Sequence, residues 1–157
     1  MSLELASVIL TDILFIELNR RDVLNSRLLK RWYVEYGLSA VVADVAIIWL
    51  VFYGTKQFTK YKGLQLLMAI IAVQVMHDLI FYLIFSAIPR GKSKTMDFFK
   101  DYSKEIGVKA IIGDSMMLAT AFAFHYLFYN IFKIRSTRQT MMVLGLSVYL
   151  TPYFLHG

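Results

Sequence analysis

An all-α integral membrane bundle is the fold this sequence predicts, and three observations predict it. Four apolar segments, residues 34–54, 64–88, 107–132 and 140–155, follow one another along the chain. A helix rising about 1.5 Å per residue needs roughly 20 residues to cross a hydrocarbon core of about 30 Å, and the first three meet that length outright. Short loops rich in lysine and arginine separate the segments, as positively charged anchors do at membrane surfaces. Hydrophobic residues make up 58% of the 157, and mean hydropathy is +0.56; a soluble domain is nearer about half apolar, so lipid takes up the excess.

The elements follow in order. Residues 3–18 are apolar but interrupted by Glu4, Asp12 and Glu17. Sixteen residues are short for a span, so the segment reads as an amphipathic helix on the membrane surface or against a partner, with a tilted fifth span as the alternative. The acids within it, with Arg20 and Arg21 after it, are unlike a cleaved leader, and the N-terminus is expected to be retained. Arg20, Arg21, Arg27, Lys30 and Arg31 form a basic stretch suited to the cytoplasmic side. Lys56, Lys60 and Lys62 mark the turn after the first span, and Pro89-Arg90-Gly91-Lys92-Ser93-Lys94 stops the second. Residues 95–105 alternate apolar and charged side chains at helical spacing, which predicts an interfacial helix leading into the third span. Pro152 lies where it can end the fourth.

The 157 residues leave room for one membrane domain and no further soluble unit. Near the N-terminus and the second loop lie ten basic residues, eleven with Lys109, against six in the first and third loops. Both termini are therefore expected on the cytoplasmic-equivalent side. The net charge of +6 suits anionic headgroups better than nucleic acid, because it sits at the span ends.

Shifting the chain by seventy residues aligns 28–44 with 98–114 without gaps. Lys30/Lys100, Glu35/Glu105, Gly37/Gly107, Ala40/Ala110 and Asp44/Asp114 coincide. A parallel repeat is one reading, biased membrane-helix composition the other. In a repeat, Gly37, Ala40, Gly107 and Ala110 would be small helix-packing positions that let spans one and three approach closely.

Charged side chains inside the spans mark the candidate site: Asp44, His77, Asp78 and Asp114, with Gln74 on the same face as Asp78. An ionised group at the bilayer centre costs roughly 2.5–3.5 kcal/mol, so these residues should face one another inside the bundle. They could relay protons or cations, or hydrogen-bond to fix helix register; the small number of polar residues favours the second. The sequence holds no Gly-rich phosphate loop, HExxH or GxSxG, and no cysteine, which removes disulfides, thiolate metal sites and cysteine nucleophiles. No enzyme activity, metal or cofactor is expected.

His77-Asp78, Phe81-Tyr82, Ile88-Pro89-Arg90-Gly91, Met96-Asp97, Phe99-Lys100-Asp101-Tyr102, Lys104-Glu105 and Gly113-Asp114-Ser115 resemble a family of small multi-pass membrane proteins of nucleocytoplasmic large DNA viruses. The resemblance covers roughly the last three fifths of the chain. It implies a structural component of the virion's internal membrane, linked to the capsid shell or minor capsid proteins, and carries over no catalytic or transport residue. Expected partners are the lipid bilayer, capsid or other virion membrane proteins and further copies of the chain, with nucleic acid less favoured. Arg20, Arg21, Arg27, Lys30, Arg31, Arg90, Lys92 and Lys94 would supply the surface contacts.

Overall fold

The computed structural model describes residues 2–24 and 26–156, and every regular element among them is helical. In chain order these are α1 (Ser2–Arg20), α2 (Arg27–Tyr36), α3 (Leu38–Phe58), α4 (Gly63–Ala87), α5 (Lys94–Ile106), α6 (Val108–Tyr126), a π-helical turn (Leu127–Ile131) and α7 (Thr137–His156). Three stretches are long and apolar enough to cross a membrane: α3, α4, and α6 with its π-helical extension. α7 falls short of that composition because Thr137, Arg138, Gln139, Thr140 and Ser147 dilute its apolar content.

The long helices turn large apolar surfaces outward and bury their few polar side chains together with apolar ones. α4 buries Leu66, Ile70 and Gln74, one stripe at i, i+4 and i+8, while Leu64, Met68, Met76, Leu79, Leu83 and Ile84 lie on its outer surface. The buried residues of α7 are Ser147 and Thr151, whereas Met141, Met142, Leu146, Val148 and Tyr149 are exposed. α7 begins at a reciprocal cap in which the Gln139 amide donates to Ser136 Oγ (3.2 Å) and the Ser136 amide to Gln139 Oε1 (3.3 Å). It continues through Pro152 to His156 instead of ending at the proline.

The N-terminal helix corrects the sequence reading. α1 is no amphipathic surface helix; it is the centre of the bundle, packed most extensively on α7, then on α6 and α3. Ala6, Ser7, Val8, Thr11 and Asp12 have no exposed surface. The physical reason is geometric: at about 100° per residue, Asp12 lies about 80° and Glu17 about 220° round from Glu4, so the three acids never form one polar face. α1 runs antiparallel to α3 along its length. Glu4 pairs with Lys56 near the far end of α3, Val8 joins the cluster of Val51 and Phe52, Asp12 faces the level of Asp44, and Ile16 packs with Ala40 and Val41.

α2 and α5 are short, strongly amphipathic helices, each capped by a serine: Ser26 Oγ accepts from the Leu29 amide (3.0 Å) and Ser93 Oγ from the Met96 amide (3.4 Å). Both end at a glycine that also opens the following long helix. Gly37 (φ 51°, ψ −127°) and Gly107 (φ 56°, ψ −131°) donate to Tyr33 O (3.0 Å) and Ser103 O (2.9 Å), then accept from Ala40 and Ala110. Such a conformation strains any residue with a Cβ. These glycines are therefore joints, and the reading of Gly37, Ala40, Gly107 and Ala110 as a packing seam between spans one and three is corrected: α3 and α6 meet at their other ends, through Phe52 with Phe122 and His125, and of the four only Ala40 is buried. The first long helix begins at Leu38, four residues later than the apolar run suggests, because Gly37 breaks it.

α2 and α5 lie against each other with ends exchanged. Glu105, at the end of α5, accepts from Ser26 Oγ and the Leu28 amide at the start of α2 (both 3.2 Å). Glu35, at the end of α2, pairs with Lys94 at the start of α5 (2.6 Å). Lys94 and then Arg31 hold the half-buried Glu35 carboxyl below the ordinary carboxylate range. Trp32 stacks on Phe98 (5.3 Å) and meets Phe99 (5.1 Å), sealing the pair.

Candidate polar cavity

Beneath the α2–α5 pair lies a partly open cavity of about 580 Å³. Asp44 from α3, Gln74, His77 and Asp78 from α4, and Asp114 from α6 all line it, so the five candidate residues do meet. Asp44 and Asp114 each sit six residues inside their helix starts, about 9 Å down at 1.5 Å per residue. They occupy one end of the spans rather than the middle, which lowers the cost of burying them.

Two networks divide the polar groups. In the first, Asp44 Oδ2 accepts from Trp32 Nε1 (3.0 Å), and the Tyr33 hydroxyl lies 3.0 Å from Asp44 Oδ2 and 3.1 Å from Asp12 Oδ1. Burial first, then Asp44 and Asp12, hold the Tyr33 phenol well above its ordinary range, so it keeps its proton. One phenol proton serves one carboxylate. The hydroxyl is therefore shared between the Asp12 and Asp44 carboxyls.

In the second network Asp78 Oδ1 accepts from Gln74 Nε2 (2.7 Å) and lies 3.1 Å from His77 Nδ1, while Asp114 faces Asp78. Gln74 Oε1 is buried without a hydrogen-bond partner, and the Asp78 and Asp114 carboxyls lie within hydrogen-bond reach of each other. No group of three or more His, Cys, Asp or Glu residues among those described is arranged to hold a metal ion.

Deeper than the carboxyls, Val8, Ile48, Phe52, Ile70, Leu118 and Ala121 form a buried apolar plug. Above them, Trp32, Tyr33, Phe98, Phe99 and Tyr102 of the α2–α5 pair form the roof. Sequence reasoning missed Asp12, Trp32 and Tyr33. Asp12 was visible as a lone acid in an apolar helix, but its partners depend on where α1 packs.

The basic residues are less free than their number implies. Arg20 and Arg21 pair with Glu17, Lys30 with Asp22, Arg31 with Glu35, and Arg90 with Asp101. Arg27 and Lys92 are exposed. Glu105, one turn before Lys109, bonds the start of α2.

No protein-family model, no curated protein and no solved structure matches this chain.

Proposed function

We propose that this chain is a structural membrane protein, whose bundle holds the α2–α5 pair at the bilayer surface as a platform for headgroups and a protein partner. The single observation that carries the reading is the apolar plug. Val8, Phe52, Ile70 and Leu118 pack together below the carboxyls, and such an apolar layer argues against a continuous polar route for ions. The carboxyls then serve as packing groups that fix register between α1, α2, α3, α4 and α6. Proton or cation conduction is the second reading, favoured by acids from three long helices converging on one cavity.

The bundle is proposed to have five spans. α1 is about 28 Å long at 1.5 Å per residue and runs beside α3, while α7, about 30 Å long, turns apolar residues outward and hydroxyls inward. Crossing by both places the N-terminus with the Lys56–Lys62 and Lys133–Arg138 loops, and the C-terminus on the face of α2 and α5. The richer basic side then still faces the cytoplasm. The units at 28–44 and 98–114 are read as two copies of one surface-helix, glycine-joint and span element, related by an axis along the membrane normal. The resemblance supplies the setting: the internal membrane of a large DNA virus, beneath the capsid shell.

Two measurements test the reading. In sealed liposomes the purified protein should pass no more protons or potassium than empty vesicles, and Asp44→Asn and Asp114→Asn should leave that background unchanged. Flux abolished by either substitution overturns the structural assignment. In purified virions the chain should appear in the detergent-released membrane layer in structural quantity; its absence from the particle overturns the viral setting.

A further inference from the structure

We propose that the cavity beneath α2 and α5 binds an organic ammonium group. Gln74 is 1% exposed and lines the cavity, yet its Oε1 has no hydrogen-bond partner. Beside it the Asp78 and Asp114 carboxyls lie within hydrogen-bond reach of each other, an arrangement that needs a proton or a cation between them. An unsatisfied buried acceptor costs about 1–3 kcal/mol, so Gln74 Oε1 next to two facing carboxyls calls for a cation with several N–H donors. Gln74 cannot turn to supply one, because its Nε2 already donates to Asp78 Oδ1 at 2.7 Å. Lys109 lies on the cavity wall with its side chain exposed.

A protonated primary amine has three donors on a small tetrahedral head, one for each of Gln74, Asp78 and Asp114. The remaining wall suits the carbon part of such a molecule. Phe81 meets Phe99 edge to face at 4.9 Å, and Trp32 covers Phe99 at 5.1 Å, presenting ring surfaces that attract a cation and bury alkyl chain. The volume, about 580 Å³, lies in the range of small-molecule sites. A bare alkali ion would use the carboxyls and leave the aromatic wall without a role. The ammonium could come from an aminophospholipid headgroup or from a soluble polyamine.

The inference is independent of the structural assignment, since binding and ion flux are read separately. The test uses the full chain in nanodiscs of phosphatidylcholine, titrated with hexylammonium, hexanol, sodium chloride and spermidine, with binding read by calorimetry. A second arm replaces part of the lipid with phosphatidylethanolamine and measures competition with hexylammonium. Hexylammonium should bind and hexanol should bind at least about tenfold more weakly, the difference of a charge-assisted hydrogen bond. Asp78→Asn should weaken hexylammonium about tenfold. Gln74→Leu, close in volume and expected to fold, should weaken it by a smaller factor, and Asp22→Asn at the exposed surface should change nothing. Competition by phosphatidylethanolamine assigns the lipid headgroup, and stronger binding of spermidine without that competition assigns the soluble amine. Equal binding of hexanol, saturable sodium binding that displaces hexylammonium, or hexylammonium affinity unchanged in both Asp78→Asn and Gln74→Leu overturns the proposal.

Discussion

Replacing Ser7 by leucine is expected to lower the stability of the bundle by about 1–3 kcal/mol, the cost of forcing extra methylenes into a closed core. Ser7 is fully buried in the helix that packs on α3, α6 and α7, and its hydroxyl is already spent on Leu3 O (2.8 Å). Leucine leaves no polar group stranded but has nowhere to go. Ser7→Ala keeps the close approach and should be near neutral, because the bond it removes is within α1 itself. Leu14→Ala, at the most exposed large apolar residue of α1, should also cost little. Thermal unfolding of the three variants in one detergent makes the comparison. A surface helix would show the reverse order, tolerating Ser7→Leu on a polar face and suffering from Leu14→Ala.

Tyr33→Phe is expected to cost about 1–3 kcal/mol, since it strips the hydroxyl shared by Asp12 and Asp44 and leaves buried carboxyl oxygens without partners. Asp12 suffers most, because its other oxygen, Oδ2, is already unpartnered. Asp44 retains Trp32 Nε1. Because Asp12 and Asp44 share the one Tyr33 hydroxyl, the losses are not additive. Asp12→Ala in the Tyr33→Phe background should cost less than Asp12→Ala alone, because the partner it abandons has gone. A double-mutant cycle read by reversible unfolding measures that difference, and strict additivity would show that the three groups act independently.

The parts legible in the sequence are those set by local chemistry. The apolar runs gave α3, α4 and α6 because each is long enough to cross lipid and ends at recognisable punctuation, Pro89-Arg90-Gly91 for α4. The intramembrane acids pointed to a common site because no isolated carboxyl is tolerated there, and Asp44, Asp78 and Asp114 do line one cavity. What escaped was long-range. α1 reads as a surface helix because acids in an apolar segment resemble a polar face until their angular positions are worked out, and because nothing local tells a surface helix from one packed inside a bundle. Tyr33 and Trp32 carry no signal in the sequence, because what they do depends on α2 folding back over α3 so that both turn their polar atoms onto Asp44. The glycines at 37 and 107 were noticed for their size, whereas the structure uses their positive φ. Small residues carry both meanings, and only the backbone decides between them.

The central claim is that α1 is the core of a five-span bundle, and membrane sidedness of single cysteines tests it most directly. The chain contains no cysteine, so each introduced thiol reports alone. Ser2→Cys, Lys60→Cys and Arg138→Cys should react with a membrane-impermeant maleimide from one face of sealed vesicles, and Lys92→Cys and His156→Cys from the other. Labelling of Ser2→Cys together with Lys92→Cys and His156→Cys would place both ends of α1 on the face of α2 and α5, and would contradict the account.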